Sequence, residues 1–269
     1  MVNKSLGQHW LNNRAILEEI AEFTDGGDLC IEIGPGLGTL TSSLLRRFNK
    51  VIAVEFDEKL ANNLPKSFPG KNLEVISADF LKYDLAEIKQ PYVVAGNIPY
   101  YITSPIIEKI LTAENLPKKV VLLIQKEVAE RIADGKETVL SLFVKNRAKV
   151  KLGPVVLKGE FTPPPKVDSQ VLILEPHAPE VPEAVFNLIK QSFIAPRKKL
   201  MHNLSLLKSK EELKQIFIKL GFSLDVRPAD LHLEDYQRLF DDEHYFISFF
   251  CRRDYQRAAE SAIAFFYSD

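Results

Sequence analysis

Charge of one sign is the first thing this sequence lacks. Its 35 Lys and Arg face 36 Asp and Glu over 269 residues, a formal net charge of −1. No long-range field announces a polyanionic partner, so any anion site must be local. Cysteine is equally scarce. Cys30 and Cys251 are the two present and share no metal-ligand spacing, which argues against a thiolate metal centre or a disulfide framework. Both are expected as free thiols in a reducing, cytoplasmic setting, and no metal site is expected. No apolar run approaches the roughly 18 residues of a membrane helix, and the first residues, "MVNKSLGQHW", lack the apolar core of a signal peptide. Internal repeats and low-complexity tracts are missing too. What remains, 46% hydrophobic and 26% charged residues, is ordinary globular composition, with enough chain for one large domain or two smaller ones.

The pattern along the chain changes once. Strand-like apolar runs are predicted at Leu29–Ile33, Val51–Glu55, Leu73–Ser77, Tyr92–Ala95 and Val120–Ile124, then at Val150–Leu157 and Val167–Leu174. Amphipathic helices are predicted at Leu40–Phe48, Glu58–Phe68 and Pro105–Leu111. This alternation specifies an α/β fold with a mostly parallel, doubly wound, seven-stranded sheet. The last two strands are joined only by "GEFTPPPK". That is too short for a helical crossover, so they should pair as an antiparallel hairpin at one edge. "EPHAPEVPEA" then reads as a linker, and helices follow at Ala184–Phe193, Lys198–Leu207, Lys210–Leu220, Leu233–Phe240 and Tyr255–Tyr267. The expected division is a larger domain over residues 1–178 and a smaller all-α domain over 179–269, with a basic and aromatic tail from about residue 243.

The chemistry-bearing residues fall just past the strand ends, the edge where open α/β sheets bind ligands. "CIEIGPGLGTLT" places Gly34, Gly36 and Gly38 between a strand and a helix, where missing side chains let the backbone turn sharply and a ligand approach. A dinucleotide fingerprint would need glycine at Thr39, which argues against a nicotinamide dehydrogenase. E-x-G-x-G-x-G instead resembles the first motif of S-adenosylmethionine-dependent methyltransferases. Glu55 ends the next strand, where a carboxylate can accept from both ribose hydroxyls. Asp79 follows the third strand, suitably placed for an adenine amino group. Helix capping explains Asp57 or Asp79 taken singly. Three successive strands with suitable polar ends favour the cofactor.

After the fourth strand comes "NIPYY", residues 97–101. An adenine N6 amine is a poor nucleophile because its lone pair is delocalised into the ring. Acceptors on its hydrogens favour a more tetrahedral nitrogen; the Asn97 side-chain oxygen is one, and a carbonyl at Ile98 or Pro99 another. Tyr100 offers a face on which a flipped base can stack.

With these residues in view, the chain resembles the KsgA/Dim1 family of ribosomal RNA adenine N6,N6-dimethyltransferases. "NIPY" is similar to that family's Asn-Leu-Pro-Tyr, "GQHWLNN" (7–13) to its amino-terminal cofactor motif, "FTPPPKVDS" (161–169) to F-x-P-x-P-x-V-x-S, and "PRKKLMHNL" (196–204) to a helical-domain stretch. The resemblance spans roughly residues 4–240. It implies a Rossmann-like class I methyltransferase domain with S-adenosyl-L-methionine as cofactor, contacted by His9, Leu11, Gly34, Gly36, Glu55, Asp79 and Asn97. It also implies that Asn97, Pro99 and Tyr100 hold the target amine while Phe161 stacks on the far side of the base. Two departures stand out: His9 where asparagine is frequent, and His202 where a basic residue is usual. The implied activity is dimethylation of two adjacent adenosines in the 3′-terminal hairpin of 16S rRNA within the 30S subunit, by a cytoplasmic monomer engaged in small-subunit biogenesis. The rivals are a macrolide-resistance-type enzyme acting on 23S rRNA and a non-catalytic assembly factor. "IEIGPGLGTLT" and "RKKLMHNL" are closer to the small-subunit group. The local basic clusters (Lys145 to Lys166, Arg197 to Lys199, and Arg252, Arg253 and Arg257) are candidate phosphate contacts, with solvated faces as the plain alternative.

Overall fold

The computed structural model describes residues 9–242. Cys251, the Arg252–Arg257 cluster and the helix expected at Tyr255–Tyr267 lie outside the described residues. The chain divides into two compact units. Among the described residues, one holds 9–134 together with Arg147–Ala178, and the other holds Gly135–Asn146 together with 179–242. The expected boundary near 178/179 kept residues 135–146 with the larger domain, whereas their packing places them with the helices.

The first unit is built on β1 (Trp10–Leu11), α1 (Arg14–Glu22), β2 (Gly27–Ile33), α2 (Thr39–Leu44), β3 (Phe48–Glu55), α3 (Glu58–Asn63), β4 (Leu73–Ser77), β5 (Val93–Asn97), α4 (Thr103–Leu111), β6 (Lys119–Gln125), α5 (Lys126–Ala133), β7 (Ala148–Val156), β8 (Phe161–Thr162) and β9 (Ser169–Pro176). Seven strands form one sheet in the order β4-β3-β2-β5-β6-β9-β7. β4, β3, β2, β5 and β6 run parallel, and β9 is antiparallel to both β6 and β7. This is a class I methyltransferase sheet, with β7 at the edge of the expected hairpin. β2 is an interior strand and its last five residues are buried, so an uninterrupted Leu-Cys-Ile-Glu-Ile run suits it better than alternation.

Local chemistry sets the element ends. α1, absent from the expected elements, starts where the Asn13 side chain accepts from the Ala15 and Ile16 amides, and it buries Leu17, Ile20 and Ala21. α2 stops at Leu44, short of Phe48, because Phe48 already begins β3. α3 gives way at Asn63 to a tight turn containing Pro65. β1 and β8 form a separate two-stranded ladder pairing Leu11 with Phe161.

The second unit contains α6 (Val139–Lys145), α7 (Glu183–Ser192), α8 (Leu200–Leu204), α9 (Lys210–Leu220) and α10 (Leu233–Asp241). Its interior polar groups are paired. The Glu137 carboxylate, 2% exposed, accepts from Ser141 Oγ at 2.6 Å, Lys145 Nζ at 2.7 Å and His232 Nδ1 at 3.1 Å. Asn146 accepts from the Val181 amide at 2.8 Å. Asn203, from "PRKKLMHNL", is buried and donates to the Ser192 and Ala195 carbonyls. In this structure it ties α8 to the end of α7. Several members of the basic clusters are likewise held in ion pairs: Lys145 with Glu137, Lys151 with Glu175, and Lys199 with Asp225.

Candidate active site

The carboxyl ends of β2, β3 and β5, the turn after β4 and the segment around β1 line one cavity of about 310 Å³ in the first unit. Of the residues named for the cofactor and the target, His9, Leu11, Gly34, Gly36, Glu55, Asp79, Asn97, Pro99 and Tyr100 all line it. Phe161 does not. It is 3% exposed and packs in the hydrophobic core. Because it pairs with Leu11 on a two-residue strand, its ring shares that residue's apolar surroundings. In this structure the ring expected on the far side of the base is a core residue.

Two of the glycines bear directly on the site. Gly36 adopts φ +58°, and a Cβ there would meet Trp10 Nε1 at 3.0 Å. Gly96 lets β5 press against β2, since a Cβ would meet the Ile33 carbonyl oxygen at 2.8 Å. That close approach sets the height of the next residue, Asn97, at the strand end.

Glu55 is buried, with Oε2 accepting from the Gly36 amide at 3.0 Å and Oε1 from the Asp57 amide at 2.8 Å. Burial raises its pKa and these backbone amides partly offset the rise. Each oxygen keeps a further lone pair for a ligand. Asp79 caps the turn after β4 through the Leu81 amide at 2.9 Å while lining the cavity. Asp57 caps α3. The capping explanation thus accounts for Asp57 fully and for Asp79 in part.

The target side is organised by His9. Its carbonyl accepts from Asn97 Nδ2 at 2.9 Å. A carbonyl can only accept, so this contact fixes which end of the amide is nitrogen and leaves Oδ1 as the free acceptor. The imidazole Nδ1 meets the Pro163 carbonyl oxygen at 2.7 Å, and the ring lies 6.1 Å from that of Tyr100 at an interplanar angle of 23°. Tyr100 is anchored at its far end, its hydroxyl 2.7 Å from Ser169 Oγ; burial raises its pKa and the Ser169 bond tempers the rise. The Pro99 carbonyl accepts from the Ile102 amide. Among the described residues nothing donates to the Ile98 carbonyl.

Two contributors were not singled out from the sequence. Trp10 covers the glycine loop; its position inside "GQHWLNN" was the available signal. Glu32 lines the cavity at 1% exposure. Burial is the main reason its pKa is pushed up to about 8; nearby Thr41 lowers it and the Glu55 charge raises it. Glu32 Oε2 and Thr41 Oγ1 nevertheless complete no hydrogen bond, so Thr41 relieves the burial only weakly. A buried carboxyl with an oxygen left unpartnered beside a cavity suits a hydrogen-bonding ligand, and a positively charged one would favour its ionised form; the glutamate of E-x-G-x-G-x-G was its sequence signal.

The family profile described as ribosomal RNA adenine dimethylase matches residues 1–242. The chain belongs to that family. It is 38% identical over 251 residues to the ribosomal RNA small subunit methyltransferase A of Thermosynechococcus vestitus, covering 88% of this chain and 94% of that protein. Against the protein of the same name from Clostridium acetobutylicum it is 37% identical over 258 residues, covering 89% and 93%. Among solved structures, a dimethyladenosine transferase from Plasmodium falciparum superposes with a TM-score of 0.73 at 29% identity, covering 86% of this chain and 96% of that one. The 23S rRNA methyltransferase ErmE gives the same TM-score at 26% identity, covering 87% and 100%. In this family the cofactor is S-adenosylmethionine, and the residues here fit it. The cavity offers a buried unpaired carboxyl, a second carboxyl with spare lone pairs, and open space where a side chain at Gly34 would project.

Proposed function

We propose that this protein dimethylates N6 of adenosines in small-subunit ribosomal RNA, at two adjacent adenosines of the 3′-terminal hairpin of 16S rRNA in the 30S subunit. The observation that carries the reading is the Asn97 amide. With its nitrogen engaged by the His9 carbonyl, its oxygen is the acceptor left at the end of β5, beside Tyr100 and within the cofactor cavity.

S-adenosylmethionine, when bound, supplies an electrophilic methyl group. Glu55 would accept from its ribose hydroxyls and Asp79 from its adenine amine, and Glu32 would offer a carboxyl that ionises more readily beside its positive charge. Asn97 Oδ1 and the Ile98 carbonyl would accept hydrogen bonds from the target amine, which favours a more tetrahedral nitrogen with its lone pair available for attack. Tyr100, steadied by Ser169, supports the flipped base. The proton lost from the methylated nitrogen needs no dedicated base, because that nitrogen is far more acidic than the parent amine. We place the enzyme in the cytoplasm as a monomer acting during small-subunit biogenesis.

The small-subunit assignment is supported by the curated relatives, each named for that subunit. The likeness to ErmE makes 23S rRNA the substrate to exclude. Transfer from labelled S-adenosylmethionine should be measured on unmethylated 30S particles and, in parallel, on 23S rRNA, with nucleosides identified by mass spectrometry. Dimethyladenosine in the 30S sample alone is the expected result. Label in 23S rRNA would move the substrate to the large subunit, and label in neither with cofactor bound would point to an assembly factor.

A further inference from the structure

Tyr100 and Tyr101 are neighbours in one tight turn, Tyr100–Ile102, yet they are held in opposite ways. Tyr100 is half-buried and bonded to Ser169. Tyr101 is 64% exposed, lines the mouth of the same cavity, and makes no hydrogen bond or ring contact among the described residues. A large aromatic left in water at the rim of a site calls for an explanation that a scattered surface apolar residue does not.

The Tyr100–Ser169 bond brings this turn beside the β7–β9 hairpin, where Ser169 pairs with Val156. Just beyond that pair the hairpin end carries Leu157, 60% exposed, and Val167, 45% exposed, with Lys158 and Lys166 also exposed. The acids in this stretch are already used: Glu160 accepts from Asn13 Nδ2, and Asp168 accepts from the Lys158 amide. Neither lysine ammonium has an ion pair among the described residues. An exposed aromatic thus lines the cavity, and the hairpin bonded to its neighbour Tyr100 carries two exposed apolar side chains and two unneutralised cations at its end. That combination matches a single nucleic-acid strand, which presents base faces and phosphates together.

We propose that Tyr101, with Lys158 and Lys166, is a subsite for the RNA flanking the target: a neighbouring base stacks on Tyr101 while its phosphates lie against the two lysines. The proposal rests on the rRNA-methylation reading and deepens it. The subsite keeps the flanking strand in place while Tyr100 takes the target base.

The test measures two things on the same proteins: affinity for a short single-stranded adenosine-containing RNA, and methylation of unmethylated 30S particles. Tyr101→Ala is expected to weaken RNA affinity about 5- to 150-fold, the range for loss of one stacked base. Tyr101→Phe, which keeps the ring, should restore it, and the cofactor Kd should not move. Replacing both Lys158 and Lys166 by alanine should lower the slope of log affinity against log salt by about 1.4. Unchanged affinity in Tyr101→Ala, with normal methylation, would overturn the subsite and leave the function standing. A Tyr101-dependent affinity in proteins that methylate nothing would support the subsite and overturn the function.

Discussion

Glu32 and Glu137 are both buried glutamates, at 1% and 2% exposure, and they differ in almost everything else. Glu137, in the helical unit, has Ser141, Lys145 and His232 around its carboxylate. Glu32, at the end of β2, has a carboxyl oxygen with no partner and holds its proton to about pH 8. A buried polar group without partners costs stability, and a fold tolerates that where a ligand completes the set. The same contrast separates two asparagines: Asn146 uses both ends of its amide, accepting from the Val181 amide and donating to the Val181 carbonyl, whereas Asn97 spends only its nitrogen. In these two pairs the closed polar set belongs to the helical unit and the open one to the cavity.

Four experiments can break or sharpen this contrast. The largest effect concerns Glu32. Its carboxyl ionises near 4.5 in the unfolded chain and near 8 in the folded one. Below 4.5 both states are protonated and no penalty exists. As pH rises towards 8 the unfolded chain releases a proton that the folded chain retains, so stability falls. At about 1.4 kcal/mol per unit the loss is on the order of 5 kcal/mol as an upper bound. Denaturation of the cofactor-free protein across this range should show a shallower decline for Glu32→Gln; identical slopes would mean that Glu32 is partnered after all.

Asn97→Ala comes next. Removing the free acceptor should slow methyl transfer by about 10²–10³-fold, the size seen when one preorganised polar group is lost from a transition state. Calorimetry should find cofactor binding largely intact, and undiminished turnover would take Asn97 out of the mechanism. Glu137→Ala should do the reverse, lowering stability by about 1–3 kcal/mol through its orphaned donors while turnover per folded molecule stays unchanged. The smallest effect is Tyr100→Phe, which keeps the ring and loses only the bond to Ser169. A drop of less than about tenfold in kcat/KM is expected, and a larger drop would give the hydroxyl a direct role.

Much of the sheet was legible because its strands are short apolar runs with polar ends, and because "GEFTPPPK" is too short for anything but a hairpin. The clustering of Gly34, Glu55, Asp79 and Asn97 followed from their shared position after consecutive strands. What could not be read depended on contacts distant in sequence. Phe161 lies on a strand of two residues, too short for alternation to reveal its face. The orientation of the Asn97 amide comes from a carbonyl 88 positions away. α6 follows α5 closely along the chain, and only its packing, such as the edge-to-face contact of Phe143 with Phe186 at 5.5 Å, assigns it to the helical unit. α1, α5 and α6 were all omitted from the expected helices, and α1 was avoidable, since Asn13 and the spacing of Leu17, Ile20 and Ala21 were in plain view.

The membership of α6 has a consequence for anyone who would cut or exchange parts of this protein. The backbone passes from one unit to the other at 134/135, 146/147 and 178/179, so no single scission separates the two. A fragment ending at residue 178 would carry Leu142, Phe143 and Val144, all buried in the intact chain, without the helices that cover them, and should be prone to aggregate. A chimera between relatives would have to transplant residues 135–146 along with everything beyond 178, as one cassette in two pieces.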